Sequence, residues 1–284
     1  MALMRQRWMQ ILLVGVVIFA LADLTLRITD NVIFFPTVMM IGAFHVPVVF
    51  VAYFYQQETL FDRGAHTGSI IPTLILCALF GGLIGTLAAG LLEHVAPTGN
   101  SLLGLAWVGV IEEAAKLIAP VSVFVLMRNR FRSELDGLLF GVATGMAFAA
   151  LETMGYELAT LLNSRSLNTL NETILARGLL SPAGHAAWTG LITATLWRER
   201  ERTGKAYNPL VLAFFLLAAG LHTLWNFAGS FGSLSIVIPS YIVIGGASLT
   251  LLNWRLREAR NAAVAARVES SLDSGRHQEL SDFR

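Results

Sequence analysis

Charge is what this sequence has least of. Lys, Arg, Asp and Glu make up 14% of its 284 residues, where a soluble globular chain carries about 25%. With 55% hydrophobic residues and a mean hydropathy of +0.63, the deficit argues against a water-soluble domain and for a polytopic membrane protein. Cysteine is nearly absent too. The single Cys77 excludes an intramolecular disulfide and any zinc site built from several thiolates. Its apolar surroundings make it a small packing residue. No His-Glu-x-x-His stretch is present, so one familiar helix-borne zinc motif is missing. The net charge of +1 says little about partners, and no nucleic-acid partner is expected.

What is abundant is long apolar runs. A helix needs about 20 mostly apolar residues to cross the hydrocarbon core. Eight candidates fall at about 9–26, 32–54, 70–92, 102–127, 136–161, 180–197, 209–229 and 233–254. The expected fold is therefore an all-α polytopic transmembrane bundle of about eight membrane-spanning helices. Residues 1–257 are expected to form the membrane unit, and 258–284 a polar cytoplasmic tail, frayed or disordered. The first span also fits a signal peptide, with a basic start, an apolar stretch and a cleavable Ala20-Leu-Ala22; retention is the reading adopted.

Lys and Arg are distributed asymmetrically. Thirteen lie in one alternating set of connections, among them Arg128, Arg130, Arg132 and Lys205. Only Arg27, Arg165 and Arg177 lie in the other. Positive residues stay on the cytoplasmic side, so a multi-pass cell-membrane protein with both termini cytoplasmic is expected.

Against that apolar background, ionisable groups inside the spans stand out. The stretch "VIEEAAKLIAP" puts Glu112, Glu113 and Lys116 in the fourth span. Glu152 lies in the fifth, His185 in the sixth, and His222 and Asn226 in the seventh. A charge at the bilayer centre costs about 2.5–3.5 kcal/mol on insertion scales. At about 100° per residue, Lys116 lies about 40° round from Glu112, and Glu113 about 100° round, so all three share one side. Counted from the outer edge, Glu112 and Glu152 are nearly level. One pocket in the outer half of the membrane is thus expected. One lysine cannot balance three carboxylates, and the excess beside two histidines suits proton transfer or metal binding. Pro120 clashes with the carbonyl four residues back, at Lys116, and a kink is expected there.

Two chemistries fit these residues. A desolvated Glu is a better base near neutral pH, and a His and Asn one turn apart can donate to an oxyanion. Alternatively Glu113, Glu152, His185 and His222 are credible ligands for a divalent metal such as zinc.

The quoted motifs "EEAAK", "FAALE", "GHAAWT" and "HTLWN" resemble, in order, the motif set of the PrsW family of intramembrane proteases. That family is similar to the CAAX prenyl proteases and to a γ-secretase scaffold subunit. The resemblance covers roughly residues 100–230 and implies hydrolysis of membrane-anchored protein substrates. It implies that Glu112 is the base, that His222 and Asn226 hold the oxyanion, and that Glu113 and Lys116 orient and balance charge. Glu152 stands where the CAAX enzymes have His, which leaves open whether it shares a proton with Glu112, binds metal or replaces the base. It gives His185 a supporting place without a settled role. Two other readings of the same residues remain at this level: a proton-coupled transporter, against which no inverted repeat or paired broken helices are evident, and a non-catalytic membrane scaffold.

Overall fold

In a computed structural model of the chain, the described residues are 6–61, 69–205 and 208–282, with side chains described to residue 269. They form helices and connecting turns, with no strand among them. The helices are α1 Arg7–Thr29, α2 Phe35–Phe61, α3 Ile71–Val95, α4 Leu102–Lys116, α5 Ile118–Leu126, α6 Glu134–Ser164, α7 Leu167–Leu180, α8 His185–Thr203, α9 Pro209–Ser230 and α10 Leu234–Asp282.

Six of the helices are long and apolar enough to cross a bilayer: α1, α2 with its leading turn Val32–Phe34, α3, α6, α9 and the first part of α10. The expected fourth span is present as two pieces. α4 ends at Lys116, and α5 restarts at Ile118. Pro120 has no N–H to give the carbonyl of Lys116 and crowds it, and the kink expected from Pro120 is a break at Leu117, whereas Pro47 and Pro239 lie within continuous helices. The expected sixth span starts later than hydropathy placed it. A 3-10 turn, Ser181–Ala183, precedes α8, which begins at His185. Before that turn lies α7, a 14-residue helix too short to span and too polar to register as a run. The tail, expected frayed or disordered, continues as helix to Asp282. Leu256 and Ala259 pack into the main core, so α10 passes residue 257 without interruption.

Local signals set the boundaries. Ser101 accepts from the Gly104 N–H at 3.1 Å to start α4. Ser133 and Asp136 form a reciprocal capping box at the start of α6. Asn208 caps α9 ahead of Pro209 at its first position. Gly204, at φ 69°, ends α8 in the left-handed conformation that suits glycine.

The centre of the bundle is α6, the most deeply buried of the long apolar helices. It runs against α8 at very short range, because a Cβ at Gly145 would sit 2.3 Å from the His185 carbonyl oxygen. Close approach through small residues is how helices associate where the hydrophobic effect is absent. It also sets the distance between Glu152 on α6 and His185 on α8. Around this pair stand α3, α4 and α9. On the far side α1 and α2 are joined by His45 Nε2 to the Leu12 carbonyl, 3.0 Å apart. Cys77 is fully buried in the core, as its apolar run suggested.

Candidate active site

The broken helix brings its charges to the bundle centre. Glu112, Glu113 and Lys116 occupy the last turn of α4 and all are buried. Lys116 Nζ lies 2.7 Å from Glu113 Oε1 and 3.2 Å from Glu112 Oε2, and 4.4 Å from the centroid of the Phe148 ring. A lysine buried in this way is tolerable only because both partners are within reach.

The two glutamates, adjacent in sequence, meet different surroundings. Both Glu113 oxygens are engaged. Oε1 lies 2.9 Å from His222 Nδ1 as well as facing Lys116, and Oε2 accepts from Thr189 Oγ1 at 3.2 Å. An ionised carboxylate can only accept, so His222 carries its proton on Nδ1. Its Nε2 lies 3.6 Å from Glu112 Oε2, and in the neutral tautomer with the proton on Nδ1 that nitrogen presents a lone pair. Trp188 stacks on this imidazole at 4.6 Å between centroids and is itself fixed by its Nε1–H, which donates to Ser248 Oγ at 3.0 Å.

Glu152 meets His185 Nε2 at 3.2 Å and Arg177 Nη2 at 3.0 Å, both through Oε2. His185 stands 5.5 Å from His222, ring centroid to centroid. Glu112, Glu152 and His185 each offer one ligand atom such that all three atoms lie within 4.8 Å of one another. Two further observations mark this group as fit to hold an ion. Glu112 Oε2 is buried, faces Lys116 and His222, and accepts no aligned hydrogen bond, and His185 Nδ1 is buried with no partner among the described residues. Glu113, one of the expected metal ligands, is outside the group, because its oxygens are already taken up by Lys116, His222 and Thr189. His222 lies beside the group without joining it. Glu112, in contrast, joins it.

A cavity of about 760 Å³ opens beside these residues. Glu112, Glu152, His185 and His222 line it, and so does Asn226, one turn beyond His222 on α9. Trp188, Trp225 and Tyr241 supply an aromatic wall, with Trp225 and Tyr241 stacked at 4.0 Å. Glu93 lines the cavity as another carboxylate.

Of the seven residues singled out from sequence, six form a connected cluster and Asn226 lines the adjoining cavity. What sequence reasoning missed is Arg177, Thr189 and Trp188. Arg177 alters the charge argument: a second cation pairs with Glu152, so the carboxylates do not face a lone lysine. Its signal was present as a rare basic residue on the side otherwise poor in them. Thr189 and Trp188 carried none, since either type also packs ordinary membrane helices.

One family, described as PrsW family intramembrane metalloprotease, matches the chain over residues 70–252. No curated protein and no solved structure matches it.

Proposed function

Because this chain belongs to the PrsW family of intramembrane metalloproteases, and is therefore a membrane-embedded peptidase, we propose that it hydrolyses peptide bonds of membrane-anchored proteins in the cavity beside α4, α6, α8 and α9. The observation that carries the reading is the convergence of Glu112, Glu152 and His185 from three helices, with ligand atoms within 4.8 Å of one another. These three would hold a divalent ion such as zinc, whose catalytic sites use three protein ligands and keep one position open. When bound, such an ion supplies Lewis-acid polarisation and a stronger nucleophile at neutral pH.

The other residues act on protons and charge. Glu113 fixes the Nδ1–H of His222 and so aims the Nε2 lone pair at the cavity. His222 takes the proton of the attacking water and returns it to the leaving amine. Asn226 donates its amide to the developing oxyanion. Lys116 balances Glu112 and Glu113. Trp188 covers one face of His222 and keeps water from it. This departs from the roles implied by resemblance, in which Glu112 is the base and His222 an oxyanion donor. The reason is physical: a neutral His222 that gives its Nδ1 proton to Glu113 has no second proton to donate, and Glu112 is drawn to the ligand group.

The arrangement in the membrane follows from the positive residues. With α4–α5 and α8 crossing alongside the six longer helices, the Lys- and Arg-rich connections and both termini face the cytoplasm. The cavity then opens in the outer half of the bilayer.

The test uses purified protein and a single-span substrate in proteoliposomes, with chelator, metal re-addition and the Glu112→Ala and Glu152→Ala variants. Cleavage should be lost with chelator, return with metal, and be absent in both variants while they remain folded. Cleavage that survives complete metal removal rejects the ion and returns Glu112 to the role of base. Proton flux without peptide products rejects the peptidase reading of this site.

A further inference from the structure

One cation at the site has no part in the chemistry above. Arg177 is carried by α7, the short helix outside the bundle centre. α7 starts on Ser166, whose hydroxyl accepts from the Thr169 N–H at 3.3 Å. It buries Leu170 and Ile174 in a small core with Leu26 of α1 and Val38 and Met39 of α2. Its last turn is tied to the following 3-10 turn, where Ser181 Oγ donates to the Arg177 carbonyl at 2.6 Å. α7 is thus seated partly by α1 and α2, which contribute nothing else to the site, and partly by α6, where Thr173 Oγ1 lies 3.5 Å from Thr160 Oγ1.

From this seat Arg177 grips one stretch of α6 in three ways. Nη2 pairs with Glu152 Oε2 at 3.0 Å, Nε donates to Thr153 Oγ1 at 3.1 Å, and the guanidinium lies 4.0 Å from the centroid of the Tyr156 ring. A planar fork held at several points is pre-organised and loses little further freedom in keeping its partner still. The Glu152 oxygen that it grips also faces His185. We propose that Arg177 is a positioning residue for the metal: it holds the Glu152 carboxylate where that group meets Glu112 and His185, and so links metal affinity to the seating of α7. This rests on the assignment of Glu112, Glu152 and His185 as the metal-holding set. A carboxylate has about four lone-pair positions, so an arginine on one side leaves room for an ion on the other. Groups that orient metal ligands in this manner typically change affinity by about 10–100-fold when lost.

The experiment measures metal binding by full-length protein in detergent, with zinc by equilibrium dialysis and cobalt by its absorption spectrum. Wild type, Glu152→Ala, Arg177→Gln and Arg177→Lys are compared, and thermal unfolding is followed for each. Wild type should bind one equivalent and Glu152→Ala should lose it. Arg177→Gln should weaken zinc binding by about 10–100-fold and alter the cobalt spectrum. Arg177→Lys, which keeps a charge but not the fork, should recover part of the affinity. Arg177→Gln that binds zinc as wild type does overturns the proposal while leaving the metal set intact. Equal losses in Arg177→Gln and Arg177→Lys, accompanied by equal loss of thermal stability, reduce Arg177 to a fold clamp and also overturn it. Should Arg177→Gln not fold, Arg177→Lys carries the test alone, and unchanged affinity and spectrum there reject the proposal. A wild type that binds no metal removes the underlying assignment instead, and the proposal falls with it.

Discussion

Glu113 sits one residue from Glu112 and meets different partners, which the helical turn makes possible. About 100° of rotation turns Glu113 to Thr189 and His222 and leaves Glu112 facing the cavity. Glu113→Gln separates charge from shape. The amide oxygen can still accept the His222 Nδ1–H, so the protein is expected to fold, but the imidazolium that forms on proton transfer loses its counter-charge. Proton transfer by a positioned side chain is worth about 10²–10⁴-fold; kcat should therefore fall by at least about 10²-fold with KM little changed, as read in steady-state cleavage assays. Glu113→Ala is the harsher change. It deprives the fully buried Lys116 of its 2.7 Å partner, and breaking a buried pair in this way costs about 3–5 kcal/mol, visible as a lower thermal midpoint. At this scale the sequence was informative wherever an ionisable group interrupted an apolar run. Glu112, Glu113, Lys116, Glu152, His185 and His222 all announced themselves by the cost of placing them there. Arg177 signalled itself only as a rare basic residue on the side poor in them, and outside an apolar run such an arginine reads as an interfacial charge. That it reaches inward to Glu152 depends on α7, which no hydropathy window detects.

Elements decide whether those side chains meet. The break at Leu117 and the contact of α6 with α8 are the two features on which the cluster depends. The first was legible from Pro120 only as a kink, since proline also sits within continuous helix at Pro47 and Pro239. The second was only half legible: glycines four apart on one helix, Gly141 and Gly145, fit close packing but name no partner. The structure supplies it, since the position of a Gly145 Cβ lies 2.3 Å from the His185 carbonyl oxygen. A larger residue there must push the helices apart at the point where Glu152 and His185 approach. Gly145→Leu is expected to destabilise the bundle by about 1–3 kcal/mol or more and to abolish cleavage; thermal unfolding in detergent and the single-span cleavage assay read the two effects. At the opposite end of α6, Arg255 on α10 is fully buried and pairs with Glu134 at 2.6 Å. Arg255→Ala leaves that glutamate buried without its nearest cation. It should cost about 3–5 kcal/mol in stability, with the metal-holding residues untouched, so metal stoichiometry of the folded fraction should stay at the wild-type value.

At the scale of the whole molecule, composition and run length were enough to read an all-α membrane bundle, because a bilayer accepts few other backbones. They could not separate spanning helices from helices that merely lie within the assembly, which is why α7 and the late start of α8 escaped. The proposed direction in which the molecule sits rests on charge alone. A lopsided distribution of Lys and Arg is read during insertion, and the proposed orientation puts the connection containing Asn100, which lines the cavity, on the outside and Lys205 on the inside. The near absence of cysteine makes this directly measurable. Cys77 is fully buried and should not react with a thiol reagent that cannot cross membranes. In a Cys77→Ala background, Asn100→Cys should label on intact cells, and Lys205→Cys only after the membrane is opened. The reverse pattern would turn the cavity to the cytoplasm and require substrates to be cut in the inner half of the bilayer, leaving the geometry of Glu112, Glu152 and His185 unaltered but the class of accessible peptide bonds different.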